Sequence, residues 1–202
     1  MNLETPDSRA NEMITVAERL LVLAQNAKQN RGLLSVSIAL SVMSIEAYTN
    51  ALIWLKIKEE KDPVLLEKYT DDKKGSRSIK QCSIRIKVRE WTKKLAGDGI
   101  RDKNLMDKFN QLIDLRNQIV HYQIKDYDGD QFIPLAPYNH VEGATKIHDP
   151  KKRNISINEM FYTDYLRTEI TVHTAKESII TARQVMAALN KCYYGFIPSW
   201  LI

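Results

Sequence analysis

Two cysteines, Cys82 and Cys192, supply all the thiol chemistry of a 202-residue chain. They lie far apart and form no metal-ligand pair, so neither a disulfide framework nor a thiolate metal cluster organises this fold, and reduced, structural thiols are expected. Glycine is scarce, and no glycine-rich loop is present that could cradle a phosphate, which argues against an ATPase or a dehydrogenase. His140, His148 and His173 show no metal-ligand spacing. No metal and no cofactor are therefore expected. The first apolar stretch follows Glu4, Asp7 and Glu12, a pattern unlike a cleavable signal peptide. The longest apolar span, residues 33–57, is interrupted by Glu46, Asn50 and several serines, so it reads as a buried helix and not as a membrane span. These absences point to a cytoplasmic protein without a membrane partner. Internal repeats and low-complexity tracts are missing as well.

What is present is helical periodicity and a concentrated positive charge. A chain of this length favours a single domain, residues 1–202, able to bury roughly 70% of its unfolded surface. The formal net charge is +5. Between Lys73 and Lys103 there are 11 Lys/Arg and 3 Asp/Glu, a local net of 11 − 3 = +8, which leaves 5 − 8 = −3 for the remainder. A solvated basic helix face is one reading of that segment. A phosphate-facing surface is the other, with Lys87, Arg89, Lys93 and Lys94 as the candidate RNA contacts.

Apolar spacing predicts a first helix over residues 8–30, with Val16, Leu20, Leu23 and Ala27 on its stripe. A second, apolar nearly all round, covers residues 33–60 and stops at Lys61-Asp62-Pro63. Ile84-Arg85-Ile86-Lys87-Val88-Arg89 alternates like a strand, yet Ile84, Val88, Trp91 and Leu95 fit one helix face, and the length favours helix. A fourth helix spans residues 102–124, burying Leu105, Phe109, Leu112, Ile113 and Val120. Residues 126–154 form a long irregular insertion, with a short strand at Phe132-Ile133-Pro134-Leu135. The last helix starts between residues 156 and 168 and carries Val172, Ala175, Ile179, Ala182, Met186 and Leu189. The predicted fold class is all-α, an up-and-down bundle of about five helices with that insertion before the last.

The chemistry concentrates in Arg116-Asn117-Gln118-Ile119-Val120-His121. Histidine moves protons near neutral pH, and a fixed guanidinium stabilises charge growing on a phosphate. Arg116 falls on the line Leu105, Phe109, Leu112, so it points to the core side, whereas Asn117 and His121 share a face. Arg116 and His121 stand roughly 140° apart around an ideal helix. Either the helix ends or kinks near His121, or a second copy completes the site across a two-fold axis. A half-buried arginine needs a partner, and Glu46, in the apolar run Ser44-Ile45-Glu46-Ala47-Tyr48, is the expected one. A purely structural Glu46–Arg116 pair is the alternative.

This order of elements resembles the HEPN superfamily of helical-bundle proteins. The matching pieces are the helix with Ile45-Glu46-Ala47-Tyr48 and the later Leu115-Arg116-Asn117-Gln118-Ile119-Val120-His121. The family hallmark is an arginine, an adjacent polar residue, a few apolar residues and a histidine. The resemblance implies metal-independent cleavage of RNA by a homodimer with a composite active site. By it, His121 acts on the 2′-hydroxyl or the leaving oxygen, Arg116 steadies the pentavalent phosphate, and Asn117 orients one or the other. The products would be 2′,3′-cyclic phosphate and 5′-hydroxyl ends. It also implies a toxin or phage-defence effector restrained by an antitoxin or regulatory partner. One branch is silenced at a tyrosine two residues past the histidine. Here Tyr122 follows directly and position 123 is Gln123, a departure from that branch. Other relatives are non-catalytic scaffolds or binders, the alternative function.

Overall fold

The structure, a computed structural model, describes residues 6–27, 30–70, 78–121, 146–148, 154–156 and 170–201. The chain is all-α in class. Among the described residues six helices run α1 (Pro6–Asn26), α2 (Arg31–Glu60), α3 (Pro63–Thr70), α4 (84–96), α5 (Lys103–His121) and α6 (Val172–Tyr194). A small antiparallel pair joins β1 (Lys146–His148) to β2 (Asn154–Ser156), with Ile147 opposite Ile155. It occupies part of the stretch read as irregular. The strand expected at 132–135 lies outside the described residues.

Helix starts follow local capping. The Asn30 side chain accepts from Leu33 N at 3.3 Å, Asp102 Oδ1 from Leu105 N at 3.0 Å, and Thr171 Oγ1 from Thr174 N at 3.0 Å. Each satisfies an amide that the first turn leaves unpaired. The last helix therefore begins at Val172, later than the periodicity placed it. α3 was not foreseen. Asp62-Pro63 reads as a stop, but the Asp62 carboxylate also accepts from Val64 N at 2.8 Å, and proline suits a first helical position. Gly97 (φ 78°) and Gly195 (φ 77°) end α4 and α6 in the left-handed region that favours glycine.

α2 is the central helix, in contact with α1, α3, α4, α5 and α6. By length and composition it could cross a membrane, but 56% of its most apolar window is buried inside the bundle. Its seam with α1 is built from small residues. Ala10, Ile14, Ala17 and Ala24 of α1 are fully buried, as are Ser37, Ser41 and Ser44 of α2. The short side chains let the two backbones approach, and Ser37 Oγ donates to Ala17 O at 2.8 Å across the seam. Ser41 and Ser44 donate to carbonyls of their own helix. The buried face of α1 is thus not the expected stripe: Val16 and Leu23 are about half exposed. On α5 the expected face holds for Leu105, Phe109, Leu112 and Ile113, whereas Val120 is exposed.

At the far end of the bundle Tyr48 Oη donates to Asn190 Oδ1 at 2.7 Å. The Tyr48 ring meets Trp200 edge-on, with centroids 5.7 Å apart. Arg183 reaches Glu18 Oε1 through Nε (3.0 Å) and Nη2 (2.8 Å), and its Nη1 donates to the Trp200 carbonyl. These contacts tie α1, α2, α6 and the C-terminal turn together.

Candidate functional site at the end of α5

The Arg116 side chain is half-buried, as its place on the Leu105–Phe109–Leu112 line requires. Its Nη1 donates to Asn117 Oδ1 at 3.1 Å, and its Nε is buried with no hydrogen-bond partner. Asn117 thus holds the guanidinium without neutralising it. α5 is helical through His121, so the offset of about 140° between Arg116 and His121 on one helix stands, and a second copy is the remaining way to bring both groups to one point. The His121 side chain, Tyr122 and Gln123 lie outside the described residues.

Glu46 is not the partner of Arg116. Its Oε1 accepts from Lys87 Nζ at 3.4 Å. Lys87, expected among the RNA contacts, has only 1% of its side chain exposed, so it faces the bundle and contacts no solvent-borne ligand. Lys87 stands three residues after the buried Ile84, on the same helix face as Val88. Residues Lys87–Trp91 form one turn of π-helix, and Thr92 Oγ1 donates back to Lys87 O at 3.2 Å. A π turn closes on i→i+5 bonds, so the side chains after it advance by one position. Thr92 takes the buried place that a regular helix would give Trp91. A buried ammonium needs a counter-charge, and Glu46 supplies it from the solvent edge.

The remaining candidates point outward. Arg89, Lys93 and Lys94 are exposed, with Lys94 Nζ lying 4.8 Å from the Trp91 ring centroid. Arg85 bridges the basic helix to α5: its Nη2 donates to Asp114 Oδ1 at 2.7 Å and to Asn110 O at 3.0 Å. Asn110, Asp114, Asn117 and His121 recur at helical spacing, so Arg85 docks on the same face that ends at the motif. Sequence reasoning missed this link. Its signal was present in the spacing of polar residues on α5, opposite an arginine in a helix of ambiguous type.

A separate groove of ≈ 490 Å³ runs between α5 and α6, with Leu112, Leu115 and Gln118 on one wall and Thr174, Ser178 and Thr181 on the other. Gln118 Oε1 is buried there without a partner, while Arg116 and Asn117 do not line it. Burial pushes the Tyr193 hydroxyl of α6 up to about 12, so it stays protonated near neutral pH. Among the described residues no three His, Cys, Asp or Glu side chains converge to hold a metal.

Compared with protein-family models, curated proteins and solved structures, the chain matches none.

Proposed function

We propose that this protein is a metal-independent endoribonuclease of HEPN type, acting in the cytoplasm as a homodimer with a composite site. The observation that carries this reading is the state of Arg116. Its guanidinium is partly withdrawn from water and held by a neutral amide, with no carboxylate bound to it among the described residues. An uncompensated, oriented guanidinium five residues before a histidine is suited to an anion that arrives from outside. A ribose phosphate is the anion that uses both groups. The exposed Arg89, Lys93 and Lys94 would guide the backbone, and Arg85 would hold their helix against the motif face.

In the proposed reaction the 2′-hydroxyl oxygen attacks the adjacent phosphorus and the bond to the 5′ oxygen breaks. His121 takes the proton from the 2′-hydroxyl or delivers one to the departing oxygen. Arg116 stabilises the pentavalent phosphate, and Asn117 fixes the guanidinium. No electrons change hands, and the products carry 2′,3′-cyclic phosphate and 5′-hydroxyl ends. Such an activity is harmful to its host when unrestrained, so a toxin or phage-defence role under a regulatory partner accompanies the proposal.

The test is incubation of the purified protein with RNA in EDTA, followed by analysis of the new ends. Cyclic phosphate paired with 5′-hydroxyl is expected. A folded protein that binds RNA without cutting it supports the scaffold alternative instead.

A further inference from the structure

The groove between α5 and α6 has no part in the chemistry proposed above, yet it ends beside the motif. It follows α5 from Lys108 to Gln118, a length of about 15 Å. Position 121 lies one helical turn beyond Gln118, about 4.5 Å further along the axis. Leu112 and Leu115 give one wall an apolar surface, and Thr174, Ser178 and Thr181 stand opposite. Ser178 Oγ is committed to Thr174 O at 2.7 Å, so that wall is fixed to its own helix. The volume of ≈ 490 Å³ is in the range that holds a small organic ligand.

Two features define what the groove accepts. Gln118 Oε1 is buried at the motif end with no hydrogen-bond partner. It can accept and cannot donate, so a phosphate leaves it unmet, whereas a ligand N–H recovers a bond that the protein lacks. A glutamine side chain turns readily toward such a donor when a ligand enters. The charges along the groove point the same way. Asp114 is already engaged by Arg85, Glu177 opposes an anion, and Lys108 stands at the end far from the motif. The occupant is therefore an uncharged group with apolar faces and an N–H donor on its edge, which is the description of a nucleobase.

We infer that the α5–α6 groove is a base pocket, which receives the base of the RNA nucleotide beside the phosphate that is cut, and that Gln118 selects adenine there. A glutamine amide pairs with adenine at two points, accepting from the N6 amine and donating to N7. Leu112 and Leu115 cover the ring. Gln118 is thus a specificity residue, distinct from Arg116 and Asn117, which do not line the groove. The inference rests on the nuclease reading for its RNA, but a free adenine nucleotide carries the same base, so the pocket is testable without cleavage.

The experiment measures kcat/KM of the full chain on short RNAs carrying each of the four bases beside the cut. Wild type is compared with Gln118→Leu, which removes the amide, and with Leu115→Trp, which fills the groove. Circular dichroism of each confirms folding. Wild type should favour adenosine over uridine by about tenfold, and that ratio should fall to near one in both variants. Equal cutting beside all four bases, a preference for a different base, or an adenosine preference that survives in folded Gln118→Leu overturns the pocket and leaves the nuclease reading standing. If wild type cuts no RNA, the nuclease reading falls and an NMR titration decides the pocket. Adenosine monophosphate should then shift the side-chain amide signals of Gln118, and uridine monophosphate should shift them far less. No shift up to about 10 mM adenosine monophosphate, or equal shifts from both nucleotides, overturns the inference.

Discussion

Lys87 shows how far a single residue can depart from its apparent role. In the alternating run Ile84 to Arg89 it is one basic residue among several, and solvent is its default expectation. Its place three residues after Ile84 puts it on the buried face beside Val88. Positions i+3 and i+4 share a helix face, and an apolar count registers only Val88 of the two. The consequence is that Glu46 serves stability, not the orientation of Arg116. Glu46→Ala should cost about 1–3 kcal/mol in urea unfolding, below the usual figure for a broken buried pair because Glu46 sits at the solvent edge. Lys87→Met in the same chain should restore much of that loss. If Glu46→Ala unfolds like wild type but loses RNA cleavage, Glu46 serves the site and not the Lys87 pair. Arg116 itself was legible: its place on the apolar line of α5 required a half-buried guanidinium.

At the level of elements, the pattern located α1, α2, α4, α5 and α6 to within a few residues at most of their ends. It failed on which side of α1 is buried. Two apolar stripes share that helix, and the one with larger residues drew the reading. The core uses the other, because Ala10, Ala17 and Ala24 allow the close approach that Ser37, Ser41 and Ser44 match. Small-residue seams are weak in any hydrophobicity scale and strong in packing. Ala17→Leu should therefore destabilise by about 1–3 kcal/mol through overpacking, while Val16→Leu, one residue away and half exposed, should stay within about 0.5 kcal/mol. Thermal unfolding of the pair checks this directly; equal effects would mean that the seam is not the tight contact described. α3 escaped notice for a different reason: an aspartate followed by proline closes one helix and opens the next by the same chemistry.

Across the whole molecule, the basic surplus of residues 73–103 is smaller in effect than its formula. Arg85 is spent on Asp114, Lys87 on Glu46 and Arg101 on Asp98. Arg89, Lys93 and Lys94 remain facing outward on α4. Three phosphate contacts to single-stranded RNA correspond to a slope of about −2 in log affinity against log salt, at roughly 0.7 per phosphate. Lys93→Gln should reduce that slope by about 0.7; a slope near zero would remove this helix from the RNA path. Charge counting located the segment, but only the packed bundle separates cations that face solvent from cations that brace helices. The decisive measurement is the RNA cleavage rate, in EDTA, of wild type beside Arg116→Ala and His121→Ala, with folding verified by circular dichroism. Loss of about 10²- to 10⁴-fold in each variant is expected from removal of a group that moves a proton or stabilises the phosphate. Cleavage that persists unchanged in a folded His121→Ala protein would contradict the proposed chemistry at its centre.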